Sequence, residues 1–71
     1  DVARPFKQYG LTRRESEIVS RIVNGLTNRE LAEQFGISED TIKRHLSNIF
    51  DKVGASNRLE LVLFALHHNL A

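Results

Sequence analysis

Cysteine is absent from this 71-residue sequence, and its absence excludes two common ways of stabilising a small domain. Neither a disulfide nor a thiolate metal site can form without it. A chain of this length buries only ~60% of the surface that its unfolded form exposes, so its stability has to come from well-packed side chains. Apolar and charged residues make up 41% and 27% of the sequence, which is ordinary for a globular protein and argues against disorder.

Long apolar runs and strand patterns are also missing. No run approaches the ~20 apolar residues that a membrane span requires, and no signal peptide is visible, so we expect a cytoplasmic location and no membrane partner. Nowhere do β-branched residues alternate with polar ones over a useful length, as they would in a half-buried strand. The only proline, Pro5, lies outside every predicted helix. The predicted fold class is therefore all-α.

Charge of one sign is not in excess, because ten Lys and Arg residues stand against nine Asp and Glu and the net charge is only +1. The distribution of charge along the chain is more informative than this total. The chain starts at Asp1, and Arg4 and Pro5 resemble the end of a linker. We expect residues 1–10 to be a linker or N-terminal extension, residues 11–71 to form one domain, and a regulatory half to precede them in the full-length protein.

Two capping boxes mark the starts of the first and second predicted helices. Thr12 and Thr27 each precede a glutamate by three residues, so the hydroxyl can accept from a first-turn amide while the glutamate reaches back to the threonine. Asn24-Gly25 and Gly36 follow as stop signals, since glycine adopts the left-handed conformation without penalty. The second helix is therefore predicted to have only two turns.

The third and fourth helices are predicted over about 39–53 and about 57–68. Ser38 precedes the third helix and Ser56 the fourth, and both serines are predicted N-caps. Gly54 ends the third helix. The single apolar face of this helix consists of Ile42, Leu46, Ile49, Phe50 and Val53.

A short helix, a glycine, two residues and a capped longer helix form the signature of a helix-turn-helix motif, here over 28–53. Lys and Arg suit the acceptor atoms of guanine, and Ser and Asn can donate or accept, so a helix face that carries them is a candidate DNA-reading surface. Two other interpretations stay open: an ordinary helical hairpin, and a merely solvated helix face. On a helical projection, the residues opposite the apolar face are Asp40, Lys43, Arg44, Ser47, Asn48 and Asp51.

Candidate phosphate contacts surround this face. Asn28 and Arg29 lie in the first turn of the second helix, and Thr41 and Lys52 lie along the flank of the third. Helix N-termini present free amides to phosphates, and such contacts position a protein on a duplex without reading its sequence.

The fourth helix carries more apolar surface than a small core requires. Leu61, Val62 and Ala65 can complete the core from one side, and the combined apolar arc approaches about 200°, against the ~100° that a surface helix needs. Either the core absorbs both sides, with Phe6 and Tyr9 packing on top, or the second side is a self-association surface. The residues of that second side are Leu59, Leu63, Leu66 and Leu70.

Several spaced segments carry a resemblance to a known family. They are 11–15 (Leu-Thr-Arg-Arg-Glu), 25–32 (Gly-Leu-Thr-Asn-Arg-Glu-Leu-Ala), 41–45 (Thr-Ile-Lys-Arg-His), 52–54 (Lys-Val-Gly) and 58–60 (Arg-Leu-Glu). Together they resemble the LuxR/FixJ/NarL-type helix-turn-helix domain, the output module of many bacterial response regulators and quorum-sensing receptors.

The resemblance implies a four-helix domain whose third helix reads the major groove and whose fourth helix mediates dimerisation on double-stranded DNA. It also implies an upstream receiver-like domain. By position, it implies base contacts for Lys43, Arg44 and Ser47. Many members have alanine where this chain has Leu61, and the pairing of Arg44 with Ser47 leaves the target sequence undetermined. The backbone contacts that it implies are at Asn28, Thr41, Asn48 and Lys52.

No enzymatic activity, metal or cofactor is indicated by the sequence. His45, His67 and His68 lack metal-ligand spacing with carboxylates, and no glycine-rich phosphate loop occurs. The alternative to DNA binding is a protein-interaction module, in which the leucines of the fourth helix contact a receiver domain or an RNA polymerase subunit. RNA binding is disfavoured, since the one Tyr and four Phe residues fall mostly in core or N-terminal positions and not on an exposed stacking surface.

Overall fold

A computed structural model describes residues 9–68 of the chain. Within that range the regular structure is entirely helical, so the all-α prediction is confirmed. None of these helices combines the length and the apolar character of a membrane-spanning segment. The four helices are α1 (Arg13–Val23), α2 (Asn28–Phe35), α3 (Glu39–Val53) and α4 (Arg58–His67).

Both predicted capping boxes are present. The hydroxyl of Thr12 accepts from the Glu15 amide at 3.1 Å, and Glu15 Oε1 accepts from the Thr12 amide at 2.8 Å. Thr27 and Glu30 make the same reciprocal pair at 3.2 and 2.8 Å. Ser38 caps α3 as predicted, because its Oγ accepts from the backbone N–H of the third helical residue at 3.1 Å.

The predicted cap of the fourth helix is wrong by one residue. Asn57, in an extended conformation, is the N-cap of α4, and its Oδ1 accepts from the Glu60 amide at 2.9 Å. Asparagine caps at least as well as serine, and a cap at Asn57 places Glu60 at the third helical position. The amide of Ser56 instead donates to Glu60 Oε1 at 2.7 Å.

The core joins one face of every helix. α2 packs most extensively on α3, while α1 packs on α4 and, less extensively, on α3. Leu61, the departure from the family pattern, is fully buried in this core. Tyr9 packs edge-to-face on Phe64 with ring centroids 5.0 Å apart, whereas the predicted packing of Phe6 lies outside the described residues. The largest fully buried side chains are Ile18, Val19, Leu31, Ile42, Ile49 and Leu61.

Candidate nucleic-acid interface

The exposed face of α3 carries the three residues predicted to read bases. Lys43, Arg44 and Ser47 are all exposed, while Ile42 and Ile49 on the other side of the same helix are fully buried. The helix is thus held by its apolar face and presents two cations and a hydroxyl outward. Asp40, Asn48 and Asp51 lie on the same exposed side, as the helical projection predicts.

The turn between α2 and α3 sets the direction of this face. Gly36 ends α2 in the left-handed conformation with φ of 67°, which is favourable for glycine and costly for other residues. The amide of Ile37 then donates to the Ala32 carbonyl at 3.1 Å, and Ala32 is small and buried. Thr41, a predicted backbone contact, is half-buried, and its hydroxyl lies 2.9 Å from that of Ser38. The tight turn therefore fixes the direction in which α3 continues after α2.

Arg29, in the first turn of α2, forms an exposed ion pair with Glu33. The Nε to Oε1 distance is 3.3 Å, and the two side chains are 81% and 68% exposed. A pair this exposed contributes little to stability. Arg29 could therefore leave Glu33 and bind a phosphate at little cost in free energy.

Lys52 is placed differently from the other predicted backbone contacts, because it forms an ion pair with Glu15 of α1. Its Nζ lies 2.7 Å from Glu15 Oε1, and the side chain of Glu15 is only 4% exposed against 34% for Lys52. Burial raises the pKa of the Glu15 carboxyl, but hydrogen bonds from Lys52 and Thr12 and the nearby Lys52 charge outweigh it, so the pKa is lowered overall. Sequence reasoning missed this pair, since the capping box already gave Glu15 a local role.

Arg58, the first residue of α4, makes a second set of contacts that the sequence reasoning missed. Its Nη1 donates to Asn28 Oδ1 at 2.6 Å, and its Nη2 donates to the Leu26 carbonyl at 2.5 Å. A cation in the first turn of a helix opposes the helix dipole. Arg13 stands at the same position of α1 and is exposed, so this mismatch did not single out Arg58 in the sequence. Through Arg58, α4 is tied to the segment that begins α2.

The predicted self-association stripe is largely exposed. Leu59, Leu63 and Leu66 are 66%, 55% and 56% exposed, whereas Leu61 and Ala65 on the other side of α4 are fully buried. The core of residues 9–68 therefore does not absorb these three leucines. Leu70 lies outside the described residues.

Part of this chain is similar to several proteins named as regulators. Residues 9–65 match the family described as bacterial regulatory proteins, luxR family. The chain is 44% identical over 64 residues to the uncharacterized transcriptional regulatory protein YhcZ of Bacillus subtilis, covering 90% of this chain and 30% of that protein. It is 49% identical over 57 residues to the probable transcriptional regulatory protein SgaR of Hyphomicrobium methylovorum, with coverage of 80% and 26%.

A third relative has a more specific name. The response regulator protein VraR of Staphylococcus aureus is 42% identical over 60 residues, which are 84% of this chain and 29% of that protein. In each of these three relatives, the matched segment is less than a third of the whole length. The family match covers most of the chain and includes α1, α2 and α3 completely. The chain therefore belongs to the luxR family of bacterial regulatory proteins.

Proposed function

We propose that this chain binds double-stranded DNA sequence-specifically as the output domain of a bacterial transcriptional regulator, with α3 in the major groove. The observation that carries the proposal is the two-sided character of α3. Ile42 and Ile49 are fully buried, while Lys43, Arg44 and Ser47 are exposed on the opposite side. The major groove, ~12 Å wide, admits one α-helix, and a helix anchored in this way can enter it without rearrangement.

The two classes of contact in this proposal have different roles. Lys43 and Arg44 donate to guanine O6 and N7, and Ser47 donates to or accepts from a base edge. Contacts to the sugar-phosphate backbone set the position and orientation of the domain. The proposed backbone contacts are Asn28, Arg29, Thr41, Asn48 and Lys52.

The ion pair with Glu15 is compatible with a phosphate contact at Lys52. An ammonium group has three donors, so Nζ can keep its 2.7 Å contact with Glu15 and still donate to a phosphate. Because the Lys52–Glu15 pair has no net charge, we expect Lys52 to help position the domain on the duplex and to add little to its long-range attraction to DNA. Lys43 and Arg44 then supply most of the attraction from α3.

The relatives support the setting of this activity. They are named as transcriptional regulatory or response regulator proteins and are at least three times as long as the segment matched. We infer that a receiver-like regulatory domain precedes this domain in a cytoplasmic regulator, with residues 1–10 as a linker or N-terminal extension, and that RNA polymerase is a further partner. The luxR family comprises regulatory proteins, and we assign no catalytic role to the chain.

The salt dependence of binding tests the proposal against a protein-interaction module. Duplexes selected from a random pool should be bound with log K falling linearly against log salt, at about −0.9 per phosphate neutralised. Selection at two salt concentrations also reveals the operator and any repeated half-site. Failure to enrich any duplex, together with weakly salt-dependent binding to a receiver domain or to polymerase, would instead support the protein-interaction alternative.

We further propose that α4 mediates a two-fold dimer on DNA. The support is the exposed row of Leu59, Leu63 and Leu66, which lies on the side of α4 away from Leu61 and Ala65. A contiguous row of exposed leucines is costly in water unless another surface covers it. A symmetric dimer covers the same row on both copies and places two reading helices at half-sites about one helical turn of DNA apart.

Leu63→Glu is expected to reduce cooperative binding to paired half-sites more than binding to a single half-site. The glutamate puts a charge in the centre of the leucine row, where a partner copy would have to desolvate it. Gel-shift titrations on one-site and two-site duplexes measure the two affinities. Gln34→Glu, which makes the same charge change on the exposed surface of α2, is the matched control. Equal losses on both duplexes would contradict the proposed dimer surface.

A further inference from the structure

Arg58 forms a hydrogen-bonded link between α4 and the start of the helix-turn-helix. Its guanidinium donates to the side-chain oxygen of Asn28 at 2.6 Å and to the backbone carbonyl of Leu26 at 2.5 Å. Arg58 and Asn28 are both half-buried. Hydrogen bonds from a charged group are stronger than neutral ones, so this fork restrains the Asn28 side chain as well as the loop before α2.

The chemistry of the two groups determines which way the Asn28 amide is oriented. A guanidinium has only donors, whereas an asparagine side chain has an acceptor oxygen and a donor nitrogen. Arg58 can therefore hydrogen-bond only to Oδ1, and Nδ2 is left as the other polar group of the same planar amide. Without Arg58 the amide could rotate and present either atom.

The same open groove contains Asn28, Arg58 and part of the reading face. Lys43 and Ser47 of α3 line one wall, and the groove has a volume of about 470 Å³. Asn28 thus lies beside the residues that are proposed to enter the major groove, where DNA phosphates border the protein. A phosphate oxygen is only an acceptor, so Asn28 can bond it through Nδ2 but not through Oδ1.

We propose that Arg58 is a positioning residue that holds Oδ1 of Asn28, so that its Nδ2 donor is the atom presented to a DNA phosphate. The proposal rests on the proposed DNA-binding function and adds to it a residue on the dimerisation helix. It also makes α4 contribute to the DNA affinity of each single copy, separately from any contact between copies.

Asn28→Asp tests the proposal, because it separates folding from DNA binding. The aspartate keeps an acceptor for Arg58 and adds a negative charge in the first turn of α2, which the helix dipole favours. We expect an unchanged or higher melting temperature. The variant lacks the Nδ2 donor and faces the phosphate with an acceptor, so we expect affinity for the selected half-site duplex to fall roughly tenfold or more. Asn24→Asp, at an exposed position after α1, is the matched control and should change affinity little.

A double-mutant cycle tests whether Arg58 acts through Asn28. Arg58→Lys keeps the positive charge but loses the planar fork, and it should lower single-half-site affinity by roughly three- to tenfold. In the Asn28→Ala background the same change should have little further effect, because no amide remains to be oriented. Arg13→Lys, also at the first position of a helix and exposed, serves as the control.

The outcomes distinguish this inference from the function on which it rests. If the unsubstituted chain binds no duplex, the proposed function is overturned, and this inference with it. If the chain binds but Asn28→Asp binds equally well, or if the Arg58 and Asn28 effects simply add, the positioning role is overturned while DNA binding stands. Loss of affinity at full stability, together with non-additive effects, supports the positioning role.

Discussion

Replacing Glu15 by alanine is expected to lower the free energy of unfolding by about 2–3 kcal/mol, the upper part of the range for hydrogen bonds to a charged group. The carboxylate that is lost is only 4% exposed, whereas Lys52 keeps 34% of its side chain exposed and is solvated when its partner is removed. The substitution also removes the acceptor of the Thr12 amide. One carboxylate therefore supports both the start of α1 and the last turn of α3.

Chemical denaturation followed by circular dichroism measures this loss. Glu33→Ala is the matched control, since it removes a glutamate from the exposed pair with Arg29 and should cost no more than about 1 kcal/mol. For a 71-residue domain, whose total stability is only about 5–10 kcal/mol, the difference between the two variants is easily resolved. Similar losses in both variants would show that the contact with Lys52 contributes no more than a surface pair.

The same carboxyl should make the domain acid-sensitive. The pKa of Glu15 is lower in the folded chain than its ordinary value, so the folded state binds the proton less readily than the unfolded state. The stabilisation is then fully present above the unfolded pKa and is lost as the pH falls through the folded pKa. Urea unfolding from about pH 6 down to about pH 3 should show this decline, and Glu15→Gln should flatten it. An equally steep decline in the Gln variant would assign the acid sensitivity to other carboxyls.

Lys43→Ala is expected to cost about 1–3 kcal/mol of affinity for the selected operator while leaving helicity intact. Lys43 is exposed on α3, so its truncation leaves no cavity in the core. A residue that reads a base should lose affinity for the operator and much less for an unrelated duplex. Fluorescence anisotropy on the two duplexes at one salt concentration measures both losses.

Asn48→Ala provides the contrasting result, because Asn48 is exposed on the same helix and is proposed to contact the backbone. Its loss should weaken binding to both duplexes about equally. Arg13→Ala, at the exposed start of α1, controls for the loss of one positive charge. Unchanged operator affinity in Lys43→Ala would reject the assigned reading face, and a uniform loss on both duplexes would move Lys43 to the group of backbone contacts.

Prediction from sequence succeeded where the interactions were local. The capping boxes at Thr12 and Thr27 and the cap at Ser38 each involve atoms within one helical turn, so a four-residue pattern contains all the information. The two-sided character of α3 follows from its 3.6-residue period in the same way. At the start of α4, Ser56 and Asn57 offer similar caps, and the pattern alone selected the wrong one.

The amino-acid sequence by itself determined four helices, their order and the outward face of α3, because capping and periodicity act over a few residues. Tertiary structure alone decided that Glu15 meets Lys52, 37 residues away, and that Arg58 meets Asn28, 30 residues away. It also decided that the core leaves Leu59, Leu63 and Leu66 of α4 exposed. Such contacts depend on the angles at which helices pack. Those angles are set by the fit of many side chains at once, and no short stretch of the chain encodes them.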